Sequence, residues 1–265
     1  MASVEMSAPA HTHCKLTLAC SDGKRLSAHA CALAAASPVL RETLALPLPQ
    51  PGVLRLQDAG DDWAVALSLL LPKTYPLHLV TWDNVAPLLR LADKYDMAVV
   101  RGYAADFMAR RSHELSLTQP LGSARNLLTA ATLMASYCDA RELRPYALAL
   151  ETALDAALSP LGSGSGGAAG AEGGAGAGSS AARAGPDKAA VRGLAQCLER
   201  LLRDPQYNAC VSPAVQAKVS LALLAHVKAA ARRLPSECDR CGRPGVRHTS
   251  RLYWCSACSD SFTAA

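Results

Sequence analysis

The sequence predicts an α+β fold: a small β-sheet backed by a cluster of helices, then a mostly α-helical extension and a small cysteine-rich module. Composition is the first ground. The 265 residues are 50% hydrophobic, but alanine and leucine supply most of this, with 52 Ala and 40 Leu against 14 Val, 2 Phe and no Ile. Strand-favouring β-branched and aromatic side chains are scarce, which excludes a large all-β protein. The second ground is order, because one short alternating segment near the N-terminus gives way to a run of helix-period segments. The third is a composition break at residues 162–185, where ten of 24 residues are Gly and nearly all the rest are Ala or Ser. Such a stretch has little to bury and reads as a disordered linker.

Residues 15–20 alternate, with Leu16, Leu18 and Cys20 on one face, and Asp22-Gly23 is the dipeptide of a tight hairpin turn, so a second strand through Leu26 is expected. Residues 29–36 are helix formers. Ser37-Pro38 stops that helix and caps the next, which Pro47, Pro49 and Pro51 end. Residues 53–56 predict a third strand, and Asp61 or Asp62 is expected to cap a helix ended by Pro72. A short strand at 77–80, a helix capped by Thr81 and a helix capped by Asp96 follow, then helices at 123–136 and 140–158. Beyond the linker, Pro186-Asp187 and Ser212-Pro213 open two amphipathic helices. One carries Val191, Leu194, Leu198, Leu201 and Leu202, the other Val215, Val219, Leu223 and Val227. So few residues make a thin core, so docking on the helices of 112–158 is expected. The domain boundaries are a flexible N-terminus at 1–13, an α+β domain at 14–111, a helical extension at 112–160, a linker at 161–186, a helical pair at 187–234 and a C-terminal module at 235–265.

No apolar run approaches the roughly 20 residues of a membrane span. His11, His13 and Lys15 interrupt any secretion signal, so a cytoplasmic or nuclear chain is expected. A net charge of +5 is too modest for the whole chain to be a polyanion binder. Phosphate-cradling glycine loops are missing. Gly162-Ser163-Gly164-Ser165-Gly166 fits the Gly-x-Ser-x-Gly elbow only formally, because the linker supplies no flanking strand and helix. His29, in a run of Ala and Leu, is expected to be a satisfied core histidine rather than a base, and His226 a packing residue.

Asp22-Gly23, Leu26-Ser27-Ala28-His29, Leu33-Ala34-Ala35 with Ser37-Pro38-Val39-Leu40, and Asn84-Val85-Ala86-Pro87-Leu88-Leu89-Arg90-Leu91-Ala92-Asp93-Lys94-Tyr95 together resemble the BTB/POZ domain over roughly residues 14–110. Ala30 stands where the family usually has lysine, and Leu26 and Leu40 where phenylalanine is common. The resemblance implies a protein-interaction module, often a homodimer, which in many relatives delivers substrates to a cullin-type ubiquitin ligase. It places the cullin face near 63–71 and 82–95, extended by a helical pair that residues 112–158 could supply. The short hydrophobic-x-Glu signature of some adaptors is not found before that pair. A dimer would bury Leu16, Leu18 and the helix near residues 31–40; alternatively these residues fill the core of one protomer.

Of ten cysteines, Cys14, Cys20, Cys31, Cys138, Cys197 and Cys210 are scattered and read as small hydrophobes. The other four form two C-x-x-C pairs, Cys238-Asp239-Arg240-Cys241 and, 13 residues on, Cys255-Ser256-Ala257-Cys258. Paired knuckles at this spacing hold one tetrahedral zinc ion, and four thiolates leave no open position, so Cys238, Cys241, Cys255 and Cys258 are predicted to be structural zinc ligands. Leu252-Tyr253-Trp254 is the expected strand into the second knuckle. Two redox-active dithiols are the competing reading. His248 is not needed as a ligand, and the cluster of His11, His13 and Cys14 is read as incidental, able to take stray metal. Arg232, Arg233, Arg240, Arg243, Arg247 and Arg251 surround the module and could contact phosphate, though a protein contact is favoured. The expected function is a non-enzymatic adaptor, a homodimer with protein partners, among which the resemblance implies a cullin scaffold. The alternative is a nuclear transcriptional regulator that contacts DNA through the arginine-rich zinc module.

Overall fold

The hairpin forms as its alternation requires. β1 (Lys15–Ala19) and β2 (Arg25–His29) pair antiparallel with Leu18 opposite Leu26, and Gly23 takes the turn at φ +81°. In this computed structural model residues 14–71, 76–162, 188–231, 246–247, 252–255 and 260–263 are described. β3 (Val53–Arg55) joins the other side of β1 in parallel, Leu54 beside Leu18, giving the order β2-β1-β3. The crossover between β2 and β3 is made by α1 (Ala30–Ala36) and α2 (Pro38–Ala45). Leu16, Leu18 and Leu54 all point into the protomer's own core, so Leu16 and Leu18 are not dimer surface.

Ser37 separates the two helices as its sequence predicts. Its backbone is extended, and its Oγ accepts the Leu40 N–H at 3.0 Å, satisfying one of the orphan donors of α2. The same hydroxyl donates to the Tyr95 carbonyl, which ties the break to the helical cluster.

α3 (Gly60–Leu69) starts differently from expectation. Its N-cap is Ala59, and Asp61 and Asp62 lie in the first turn, where carboxylates favour the positive helix end without capping it. The cap comes from the hairpin turn: Asp22 Oδ2 accepts the Gly60 N–H at 3.0 Å while Oδ1 accepts the Lys24 N–H at 3.1 Å. This junction requires glycine at position 60, because a Cβ there would lie 2.6 Å from Lys24 Cβ. Gly60→Ala is expected to destabilise the fold by about 1–3 kcal/mol through forced separation of turn and helix. Urea unfolding of the variant beside the parent checks it.

α4 (Val85–Lys94) and α5 (Ala98–Arg110) complete the core with Leu88, Leu89, Ala92, Val100, Ala104 and Met108, all essentially inaccessible. Three boundaries depart from expectation. Residues 77–80 contain a 3-10 turn at Leu77–Leu79 rather than a strand, four residues being too few for alternation to distinguish the two. Thr81 does not cap α4; its N–H is bound by Asn84 Oδ1 at 2.7 Å, and the helix begins after Asn84. Asp96 does not cap α5, because it adopts φ +49° to turn the chain between the helices, the left-handed region that Asp tolerates better than most residues.

Two further helices follow, α6 (Leu127–Tyr137) and α7 (Arg144–Gly162). α6 is capped by Asn126, whose Oδ1 accepts Leu128 N–H at 2.9 Å, so it starts after the expected Ser123. Further along the chain come α8 (Lys188–Leu202), the short α9 (Tyr207–Cys210) and α10 (Pro213–Ala231). The fold divides into two units, Met1–Ala157 with Cys197–Gln216, and Leu158–Gln196 with Ala217–Ala265. Within the first, Cys197 Sγ donates to the Leu117 carbonyl at 3.3 Å and the Ser212 N–H to Thr132 Oγ1 at 3.0 Å. Leu198, Leu201, Tyr207 and Val211 are buried, so this part of the C-terminal segment does pack with residues 112–158. Of the segment expected as a helical pair at 187–234, Cys197–Gln216 belongs to the first unit. Val227, expected on the apolar stripe, is exposed.

In the second unit β4 (Val246–Arg247), β5 (Leu252–Cys255) and β6 (Asp260–Thr263) form an antiparallel ribbon in that order, with Val246 opposite Trp254 and Cys255 opposite Asp260. No helix among the described residues is long and apolar enough to cross a membrane.

Candidate interaction surface

The outer face of α1 and α2 is the part of the first unit that sequence reasoning pointed to as a contact surface. Leu33 and Leu40 turn inward, each about 1% exposed. Outward go Cys31, Ala32 and Ala35, together with Val39 at 39% and Leu46 at 67% exposure. Small side chains beside two large exposed apolar ones leave a low-relief surface that another polypeptide can approach closely. His29, expected inside, is exposed at the start of α1. Its Ala-rich surroundings are themselves mostly on the surface, so the local apolar context that suggested burial misleads.

The segments near 63–71 and 82–95 present few of their large side chains. Trp63 is fully buried and packs edge-on to Tyr95 at 5.1 Å between centroids, and Trp82 meets Phe107 in the same manner at 5.0 Å. Residues 82–95 expose mainly charge, at Asp83, Arg90, Asp93 and Lys94, whereas 63–71 ends on the exposed Leu71. Beside them a cavity of about 280 Å³ is lined by His78, Thr81, Trp82, Phe107, Arg111 and Arg125. Its rim is tied by Glu114, which accepts the Trp82 indole N–H at 2.8 Å and pairs with Arg111 at 3.0 Å and Arg125 at 3.6 Å. The indole hydrogen bond first, and the two guanidinium groups next, hold the Glu114 carboxyl below the usual range.

A second polar hub joins the sheet to the helices. Asp58 accepts the Tyr95 hydroxyl at 2.6 Å and the Lys94 ammonium at 2.9 Å. Burial opposes its ionisation, but these two bonds outweigh it, and the Asp58 carboxyl lies below its ordinary value of 3.8. Burial and this carboxylate push the Tyr95 hydroxyl well above the usual tyrosine range. Because the folded value is depressed, the stabilisation is present above about pH 4 and is lost as pH falls through the folded value. Asp58→Asn is expected to cost about 1.5–3 kcal/mol at neutral pH. The gap between variant and parent should narrow below pH 4, read by thermal unfolding across a pH series. Neither this hub nor the reach of Asp22 to Gly60 was visible in the sequence, since each pairs residues more than 35 positions apart.

Cys14 and Cys31 form another unforeseen pair. The Ala30 N–H donates to the Cys14 carbonyl at 2.7 Å, continuing the β1–β2 pairing by one step and setting Cys14 opposite the residue before Cys31. The neighbouring Cys14 thiol first, and desolvation next, hold the Cys31 thiol above the ordinary cysteine range.

Of the predicted zinc ligands, Cys238, Cys241 and Cys258 lie outside the described residues, as do His11, His13 and His248, and Cys255 is described as backbone only, at the end of β5. Among the described residues no group of three His, Cys, Asp or Glu side chains converges as a metal site. The strand expected at Leu252-Tyr253-Trp254 is β5.

Comparison with known proteins agrees with the geometry. No curated protein matches the chain. The family model of the BTB/POZ domain matches residues 5–112, the stretch that contains the hairpin, the parallel third strand and the helices through α5. Residues 5–112 of this chain are a BTB/POZ domain, a protein-interaction module.

Proposed function

We propose that the chain is a non-enzymatic adaptor whose BTB/POZ domain pairs with a second copy and engages a cullin-type ubiquitin-ligase scaffold, while its C-terminal part selects the partner to be delivered. The observation that carries the pairing is the outer face of α1 and α2, where Val39 and Leu46 stay exposed beside Cys31, Ala32 and Ala35. Charged residues near 82–95 suit the polar rim of a second contact, and the helices after α5 extend it. Linking two binding modules on one chain raises the effective concentration of one partner for the other.

The C-terminal module is proposed to hold a structural zinc ion through Cys238, Cys241, Cys255 and Cys258. The ribbon register supports this. Val246, five residues after Cys241, pairs with Trp254 beside Cys255, and Cys258 falls in the connection between the paired residues Cys255 and Asp260. The start of β4, Cys255 at the end of β5 and the start of β6 therefore share one end of the ribbon, as one shared ion would require.

Sedimentation velocity on the full chain tests the pairing. The parent should sediment as a dimer, and Val39→Glu with Leu46→Glu as a monomer with unchanged secondary structure; a monomeric parent refutes it. Calorimetric titration of the full chain with a purified cullin tests the scaffold contact. Duplex DNA binding that weakens steeply with salt, without cullin binding, would replace the adaptor reading with the DNA-contacting regulator.

A further inference from the structure

We propose that the open edge of β2, backed by the basic outer face of its sheet, is a docking site for an acidic, extended segment of a partner protein, which adds to the sheet as a further strand. The inference goes beyond the adaptor reading and does not rest on it, since the pairing through α1 and α2 uses other residues.

Two independent observations carry it. The first is charge. Turned away from the buried Leu16, Leu18 and Leu54 are Lys15, Thr17 and Ala19 of β1, Arg25, Ser27 and His29 of β2, and Val53 and Arg55 of β3. Ala19 is paired with Arg25 on one side and Arg55 on the other, so two guanidinium groups flank one small side chain, while Lys15 pairs with His29 at the far end. The Cα atoms of Arg25 and Arg55 are two strand spacings apart, roughly 10 Å. The three strands contain no acid. Among the described residues the side chains of Lys15, Arg25, His29 and Arg55 make no hydrogen bond or ion pair. Nearby carboxylates are engaged elsewhere, Asp22 by the Gly60 N–H, Asp61 by Lys24 and Asp58 by Lys94. The face therefore lacks its counter-charge.

The second observation is the backbone. The strand order β2-β1-β3 leaves β2 at an edge. The Ala30 N–H donates to the Cys14 carbonyl at 2.7 Å and the Cys20 N–H to the Lys24 carbonyl at 3.0 Å, so the even-numbered residues of this strand bond to β1. Because antiparallel pairs alternate, the N–H and C=O of Arg25 and Ser27, and the N–H of His29, point away from β1. An added strand takes these groups and sets every second side chain beside Arg25, Ser27 and His29, where acids pair with the basic ones. Other occupants fit less well. Joining β2 to β2 of a second copy sets basic side chains against each other. No aromatic residue on the three strands offers bases a stacking platform, and Ala19 and Val53 are too little apolar surface to enter a lipid layer.

The test titrates the full chain into a fluorescein-labelled peptide of about eight residues, matched to strand length, that alternates glutamate with threonine and valine. Anisotropy should show saturable binding that weakens as salt is raised. Arg25→Glu with Arg55→Glu should weaken it about tenfold or more. The same peptide N-methylated at alternate residues keeps its charge but cannot pair along the edge, and should weaken to a similar degree. Bound peptide should slow hydrogen exchange at the Arg25, Ser27 and His29 amides. Equal binding of the N-methylated peptide, unprotected amides or no binding overturns the proposal. So does tighter binding of random-sequence duplex DNA or phosphatidylserine vesicles through the same two arginines, which assigns the face to that ligand.

Discussion

Trp63→Ala is expected to remove about 3–5 kcal/mol of stability and to leave the first unit unfolded or close to it at body temperature. Trp63 has no accessible surface, the largest side chain among the fully buried residues of the core. It extends from α3 to the edge of the Tyr95 ring, and Tyr95 in turn holds Asp58 by its hydroxyl and receives Ser37 on its carbonyl. Truncation therefore opens a cavity at the place where α2, α3 and the end of α4 are tied together, and a small domain rich in alanine has few long side chains with which to fill it. Chemical denaturation followed by circular dichroism measures the change. Trp63→Phe, which keeps an aromatic edge against Tyr95, should recover more than half of the loss. A cost below about 1 kcal/mol for the alanine variant would mean that the core relaxes around the gap and that Trp63 is not its anchor.

The elements that could be read in advance are those whose signals are local. Asp22-Gly23 turns a hairpin and Ser37-Pro38 divides two helices because backbone preference and a side-chain cap act within three or four residues. The alternation of Leu16 and Leu18 set the buried face of β1, although not whether that face met another protomer or the helices of its own. Errors fall where the deciding partner is distant or concealed. α3 takes its cap from Asp22, 38 residues earlier, so nearby Asp61 and Asp62 were natural but wrong candidates. Asn84 and Asn126 cap or organise helix starts that Thr81 and Ser123 fit equally well on local grounds. His29 illustrates the limit of composition: alanine neighbours are compatible with burial and with a closely approachable surface, and only the orientation of α1 separates them. For the interaction surface, the helix pair was legible from the motif order, whereas the Asp58 hub and the Cys14 and Cys31 pair required the register and the tertiary contacts.

Removing zinc is expected to have the other large effect, on the second unit alone. If Cys238, Cys241, Cys255 and Cys258 hold one ion, the apparent binding free energy is of order 10–16 kcal/mol at neutral pH, far more than a ribbon of three short strands could supply by packing. Nearly all the folding free energy of that ribbon is then metal binding. Metal analysis of the full chain should find one zinc per chain, and Cys255→Ser or a strong chelator should abolish it. The amides of β5 and β6 should then lose their protection from hydrogen exchange, while β1, β2 and α3 through α5 keep theirs, because Trp63, Leu88 and Met108 are buried in a core cluster drawn from the first unit. Acid should mimic the chelator, since protons compete for thiolates, with release in a pH range well above that in which Asp58 is neutralised. Two separated acid transitions, the upper one abolished by Cys255→Ser and the lower one altered by Asp58→Asn, would assign each to its unit. Metal-free protein with protected ribbon amides would show instead that the strands need no ion, and the cysteine spacing would then require a different chemistry.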